Sequence, residues 1–411
     1  QNYRLMSDID FSGKTNIKNN ILVNRLETDG SVYTLKNINL EYTTSYNGLI
    51  KGITNTLENI NFENITINNT TTDSNYMGVI VNLNANIIQN INVKNIQINA
   101  KGQYIGFISN AEGETIKNIN LENITLTGSN YVGALGGRTS VKYIENIYGT
   151  GINIEATGVN IGGIIGYVQN VANGYMKYVT IEGNSTIVSN HTGTSTYVGG
   201  VVGYKTGNSS FLLQYIYANN TKVKGNNYVG GIGGGLLDAR HLYANNVNVE
   251  GNSYVGGIQG SEGSIYEVCV KNSNINATGD YVGGISGKSN WGYVNITTES
   301  NTMQSNGIGA VIGYSEMSEV INCYSIGNIN TDVKNVGGII GTFTRNPLYN
   351  TYNNSKVTAT NHTAGGIIGY LDNTNMTAVN NTSNLYNNYV AGGIITAKTN
   401  AGGFIGNIAD D

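Results

Sequence analysis

From Leu57 to Ile67 the chain reads Leu-Glu-Asn-Ile-Asn-Phe-Glu-Asn-Ile-Thr-Ile. Ile60 and Phe62 alternate with polar residues, and so do Ile65 and Ile67. The block returns from Ile88 to Ile98 and again from Ile116 to Leu126. Alternation with a period of two marks a strand with one buried face. The β-branched bias, the many glycines and the lack of any helical periodicity argue against helices.

A second motif separates these blocks. It reads Tyr131-Val132-Gly133-Ala134-Leu135-Gly136-Gly137, then Tyr197-Val198-Gly199-Gly200-Val201-Val202-Gly203, then Tyr281-Val282-Gly283-Gly284-Ile285-Ser286-Gly287. With the first glycine as anchor, thirteen copies fall at Gly48, Gly78, Gly106, Gly133, Gly162, Gly199, Gly230, Gly256, Gly283, Gly309, Gly337, Gly365 and Gly402. Ten of the twelve gaps are 26 to 31 residues, and the two longer ones hold insertions. Such a period is the signature of stacked coils. The predicted fold is therefore all-β, a β-solenoid (β-helix) of about 13 coils, with roughly 27 residues and three short strands per coil. Residues 1–45 read as an N-terminal lead-in or capping segment, and 46–411 as the β-helix repeat domain. Gln1 is not a start methionine and no signal segment precedes the pattern, so the chain reads as a fragment of a longer protein.

Each column of the repeat carries its own expectation. The second residue after the anchor is apolar in all thirteen copies, from Ile50 to Phe404, and should be buried. The residue before the anchor is mostly Val or Ile and should also be buried. Both can point inward only if the anchor glycine breaks the strand's parity. The third residue after it varies (Lys51, Ser109, Gln259, Ser286) and is expected to face water. Glycine stands fourth in eleven copies, with Asn82 and Asn110 as exceptions, which suggests a left-handed corner there. Asn59, Asn90, Asn118 and Asn146 form one asparagine column, and Asn64, Asn95 and Asn123 another. Stacked amides there can hydrogen-bond from coil to coil and satisfy corner backbone.

Composition narrows the classes. Glycine, at 56 residues, is about twice its usual share, and charged residues at 12% about half theirs. With 39% apolar residues a real core is available, and no apolar run approaches a membrane span. A net charge of −4 without a basic cluster gives no footprint for nucleic acid. Two cysteines make no disulfide framework. Cys269 and Cys323 are two repeats apart, with Ile296 at the matching position between them. Stacking predicts about 9.6 Å between them, too far for a disulfide, and hence two buried thiols.

Residues that could carry chemistry are few and scattered. His191, His241 and His362 are far apart in sequence, so no His-Glu-x-x-His zinc motif exists. Carboxylates such as Glu58, Glu122, Glu145 and Glu182 are scattered singly, and the aspartates do not recur as calcium repeats would require. The glycines match no phosphate-binding loop. Asp238-Ala239-Arg240-His241 is the densest polar spot, on the expected turn after Gly235. Asn-x-Thr triplets such as Asn64-Ile65-Thr66 and Asn295-Ile296-Thr297 match a glycosylation pattern that this composition also produces by chance. No catalytic residue, metal site or cofactor is predicted.

Tyrosine is the most suggestive column. Tyr46, Tyr76, Tyr104 and Tyr131 stand two before successive anchors, as do Tyr197, Tyr228, Tyr254 and Tyr281. With the next column inward, these rings should point outward about 5 Å apart. They either stack to protect the coils or bind a ligand, for which Tyr197, Tyr228, Tyr254 and Tyr281 are the candidates.

The Tyr-Val-Gly-Gly-Ile-Ile-Gly copies, each followed by an Asn-Ile-x-Val block, resemble the GLUG repeat of bacterial surface proteins. The opening Tyr3-Arg4-Leu5-Met6-Ser7-Asp8-Ile9-Asp10-Phe11-Ser12-Gly13 is similar to the lead-in of such arrays. Similar repeats occur in the non-catalytic N-terminal regions of IgA-cleaving metallopeptidases. The resemblance spans nearly the whole chain. It implies an extracellular, bacterial cell-surface or secreted β-helix, a rigid stalk or adhesin binding host glycan or a host surface protein, with no catalysis of its own. The alternative it leaves open is the accessory region of a larger secreted enzyme, either IgA-directed or carbohydrate-active. In both cases the remainder of the longer chain is a partner, and neither nucleic acid nor membrane insertion is expected.

Overall fold

The computed structural model is a β-solenoid built from strands and bends, with parallel pairing throughout the described residues. Those are residues 1–411 apart from 15, 16, 18, 70, 73, 170, 207–210, 262, 290–292, 300, 301, 305, 306, 316–319, 332, 333, 345, 346, 373–384, 392, 393, 410 and 411. The chain forms two compact units. The first is Gln1–His191 with Gly200–Tyr217, the second Thr192–Gly199 with Ala218–Asp411.

In the first unit the strands Ile80–Ala100, Ile108–Gly128 and Gly136–Ala156 each run 21 residues and bend around corners without ending. Asparagine makes the bends. Asn90 and Asn95 have φ of 57° and 54°, and Asn118, Asn123 and Asn146 lie at 54–55°. One left-handed residue resets the alternation, so Ile88 and Ile91 face inward on either side of Asn90, and Val93 and Ile96 on either side of Asn95. Each of these inward side chains is at most 1% exposed, and burying one contributes about 1.5–3 kcal/mol. The segment before residue 46 uses the same stacking. Asn2–Leu5 pairs with Ile21–Thr28, and Tyr33–Glu41 pairs with Ile60–Asn69.

Two kinds of ladder tie these coils together. Asn123 donates its amide to Asn95, Asn95 to Asn64, Asn64 to Asn37 and Asn37 to Asp10, at 2.9–3.1 Å. The parallel column runs from Asn146 through Asn118 and Asn90 to Asn59 at 2.9–3.0 Å. Every donor points the same way, and the first column ends on a carboxylate. The bonds from Asn37 and Ser12 hold the Asp10 carboxyl down at about 2. Beside that column runs a charged one, Asp10–Lys36–Glu63–Lys94–Glu122, whose sign alternates at every coil. Lys94 and Glu122 meet there at 2.9 Å.

The second unit divides each coil further. Asn227–Gly230, Gly233–Gly235, Ala239–Asn245 and Asn248–Gly251 stack on Ser253–Gly256, Gln259–Ser261, Ile265–Lys271 and Asn274–Ala277. Besides the expected three strands, the Tyr-Val-Gly segment forms a short fourth. In the first unit the same segment contributes single bridges, Met77 to Ile105 to Val132 to Ile161.

Three column expectations are corrected. The third residue after the anchor is buried in most coils: Ser109, Gln259 and Ser286 are fully enclosed, and only Lys51 of the four named faces water. The fourth-position glycines are not left-handed, since Gly52, Gly137, Gly166, Gly203, Gly260 and Gly287 are all absent from the positive-φ set. They are glycine for lack of room. A Cβ on Gly260 would lie 2.2 Å from the Tyr228 carbonyl carbon, and one on Gly287 would lie 2.2 Å from that of Tyr254. The cysteine register also shifts by one, because the coil between them has an extra residue. Cys269 pairs with Thr297 and then Tyr324, whereas Cys323 pairs with Ile296 and then Val268. Both are thiols, as expected, but only Cys323 is fully buried.

Because each coil touches only its neighbours, stability should be nearly additive along the stack. Ile367 and Ile368 are fully enclosed, whereas Ile394, Tyr389 and Ile408 are about half exposed or more. In this 411-residue chain the amides after Asn387 are expected to exchange first. Uniform protection from Tyr46 to Ile405, measured by mass spectrometry, would contradict that.

Candidate functional site

The tyrosines before the anchors do form columns. In the first unit Tyr46, Tyr76, Tyr104 and Tyr131 stack with centroids 4.4, 4.4 and 4.6 Å apart and planes within 16°. In the second, Tyr197, Tyr228, Tyr254 and Tyr281 stack at 4.8, 5.0 and 5.3 Å. Seven of these eight tyrosines have left-handed backbone, with φ between 53° and 64°; Tyr197 is the exception. A bulky residue seldom adopts that conformation. Here the corner turns the ring outward while Val229, Val255 and Val282 beside it are fully buried. The rings are half-buried and cover one another's faces, which leaves mainly edges and hydroxyls toward solvent.

Burial, with the neighbouring phenols adding to it, pushes the Tyr76 hydroxyl up to about 12, and burial likewise raises Tyr131 and Tyr281. The folded chain thus holds these protons more tightly than the unfolded chain. Their contribution is complete below pH ~10 and is lost as pH rises toward 12. Thermal melting should accordingly be flat from pH 7 to 9 and fall above about 10, with a shallower fall after Tyr76→Asn.

The Asp238–His241 spot is a corner as well. Asp238 and His241 are left-handed, at φ 51° and 54°. His241 occupies the column that holds asparagine elsewhere and donates to or pairs with Glu267 of the next coil at 2.7 Å. Arg240 lies over the Tyr266 ring at 5.2 Å. The cluster is a coil-to-coil contact, and Asp238 is not part of the pair. Of the scattered acids, Glu58 accepts from Gln89, Glu122 pairs with Lys94 and Glu145 with Lys177, each across one coil step. The Asn64 amide is engaged on both sides by the ladder, so its Asn-x-Thr triplet is structural; the Asn295 side chain lies outside the described residues.

Sequence reasoning missed a second aromatic group in the first unit. Tyr143 and Tyr175 lie 4.9 Å apart, and Tyr178 stacks on Tyr215 at 5.1 Å. Lys177 sits 4.4 Å from the Tyr175 ring and 5.4 Å from that of Tyr178. Tyr178 and Tyr215 share an offset of sixteen from their anchors, Gly162 and Gly199, whereas Tyr143 and Tyr175 stand ten and thirteen after theirs. Their signal was local density, five tyrosines between residues 143 and 178. The same unit has a shallow groove of about 400 Å³ lined by Thr125, Thr127, Asn153, Glu155, Thr186 and Val188.

Comparison with known proteins finds no family model that matches the chain, and no curated protein or solved structure significantly similar to it.

Proposed function

We propose that this chain is an extracellular β-solenoid of a bacterial cell surface or a secreted bacterial protein, a rigid adhesive carrier that binds host glycan or protein without chemistry of its own. One observation carries the reading: consecutive coils are bonded by continuous amide, tyrosine and charge columns rather than by core packing alone. Such columns resist shear between coils and suit a part that transmits force. Their exposed sides repeat at each coil step, so a ligand can be engaged over several coils at once. The GLUG-like motif supports the extracellular placement.

Labelled chain flowed over mucin-coated and host-cell surfaces tests this. Saturable retention that survives washing, without release of sugar or peptide, is the expected result. A chain that is not retained, or that degrades the surface, would overturn the reading.

A further inference from the structure

The ladder tyrosines turn their faces to one another, whereas a cluster in the first unit keeps aromatic surface open. Strand Gly174–Glu182 buries Met176 and Val179 and turns Tyr175 and Lys177 outward. Tyr178 follows at the left-handed corner, φ 56°. Tyr148, from the neighbouring strand Gly136–Ala156, is paired opposite Thr180 just past that corner. Residues of two successive coils therefore flank one corner.

Tyr178 is 46% exposed and Tyr148 38%. Tyr215 covers one face of Tyr178, its column neighbour on the other side is the short amide of Asn146, and Lys177 lies over the ring at 5.4 Å. Hydrogen-bonding groups frame the rings. Glu145 accepts from the Tyr175 hydroxyl at 3.3 Å and from Lys177 at 3.4 Å. Glu182 accepts from the Tyr148 hydroxyl. Each carboxylate is oriented by a phenol of an adjoining coil and still has lone pairs for further donors.

We propose that Tyr148, Tyr175 and Tyr178, with Lys177, Glu145 and Glu182, bind a neutral oligosaccharide. This places the adhesive reading above at one site and rests on it. Partly exposed aromatic rings, here Tyr178 and Tyr148, suit the apolar C–H faces of pyranose rings. Oriented carboxylates suit pairs of sugar hydroxyls. Lys177 is already shared between Glu145 and two rings, and Lys142 beside them lies over Tyr143 and pairs with Glu114 at 3.9 Å, which disfavours an anionic sugar. The Thr-lined groove lacks aromatic side chains and has no such surface.

The test uses the full chain and substitutions taken from the same columns. Tyr148→Thr copies Thr180, and Tyr178→Asn copies Asn146. Titration calorimetry is run with neutral mucin-type oligosaccharides, their sialylated counterparts and an oligolysine. The expected result is saturable binding of a neutral saccharide, weakened about tenfold or more in the double variant and retained in Tyr254→Asn, although both variants lose stacking and melt lower. No neutral saccharide bound, equal binding by the double variant, or tighter binding of the sialylated sugar or oligolysine would overturn it. Surface retention is measured in parallel. If the double variant is still retained on mucin, the adhesive reading stands and this site falls; if wild type binds the free saccharide but is not retained, the adhesive reading fails instead.

Discussion

Gly260→Ala is expected to cost on the order of 3 kcal/mol, as is Gly287→Ala. The new methyl on Gly260 would sit 2.2 Å from the Tyr228 carbonyl carbon and 2.4 Å from both the Tyr228 Cα and the Val229 nitrogen. Backbone cannot swing aside as a side-chain tip can, so the coil step itself must open. Destabilisation should stay local, because a coil is coupled only to its neighbours. Urea titration gives the loss, and amide exchange at Asn227–Gly230 gives its place. Gly403→Ala is the control, since a methyl there meets nothing within 4 Å. Equal midpoints for Gly260→Ala and Gly403→Ala would refute the close-approach account.

Removing the rings of Tyr228, Tyr254 and Tyr281 together should cost about 2–4 kcal/mol if asparagine replaces them. Three stacked contacts disappear: Tyr197 on Tyr228, Tyr228 on Tyr254, and Tyr254 on Tyr281. Asparagine is the right substitute because Asn160 and Asn335 hold the same position in their own coils, left-handed at φ 61° and 57°. Valine at the three sites should cost more, because each β-branched residue adds about 1–2 kcal/mol to stay left-handed. Thermal melts of the two triple variants separate ring stacking from backbone conformation. Valine and asparagine variants melting together would mean that the corner conformation is not what tyrosine supplies there.

Much of the solenoid was legible because its repeat is a spacing, and spacing survives substitution. The inward columns around the anchor and the asparagine ladders follow from period and residue type alone. Other features were hidden for definable reasons. Glycine is selected both by left-handed backbone and by lack of space, and sequence does not separate the two; Gly260 belongs to the second case, Asn90 to the first. Tyrosine hid a left-handed corner because an aromatic residue seldom signals one. Ser109, Gln259 and Ser286 belong to a column that varies as a solvent-facing one would, yet each is enclosed directly beside a buried Ile108, Ile258 or Ile285, so alternation does not hold there. The Tyr148–Tyr178 surface joins residues that no common offset connects, so only stacking brings them together.

The alternating charge column gives the first unit a way of counting. Asparagine and tyrosine columns are blind to how many coils they contain, since any member fits on any other. Joining Asn90 to Ile119 by excising residues 91–118 follows the 28-residue spacing of the amide ladder, so Asn123 would land on Asn64 and Tyr131 on Tyr76. Such a chain is expected to fold, as judged by circular dichroism, whereas an excision one residue shorter would turn every later side chain to the wrong face. The charged column alone registers the loss. Glu63, opposite Lys94 in the intact unit, would then face Glu122, at a cost of about 0.2–1 kcal/mol that salt should relieve. Excising residues 91–146 instead would set Thr150 there, a neutral neighbour. Coils in this stretch can be removed singly at the expense of like charges or in pairs without them, so the charge column distinguishes odd from even.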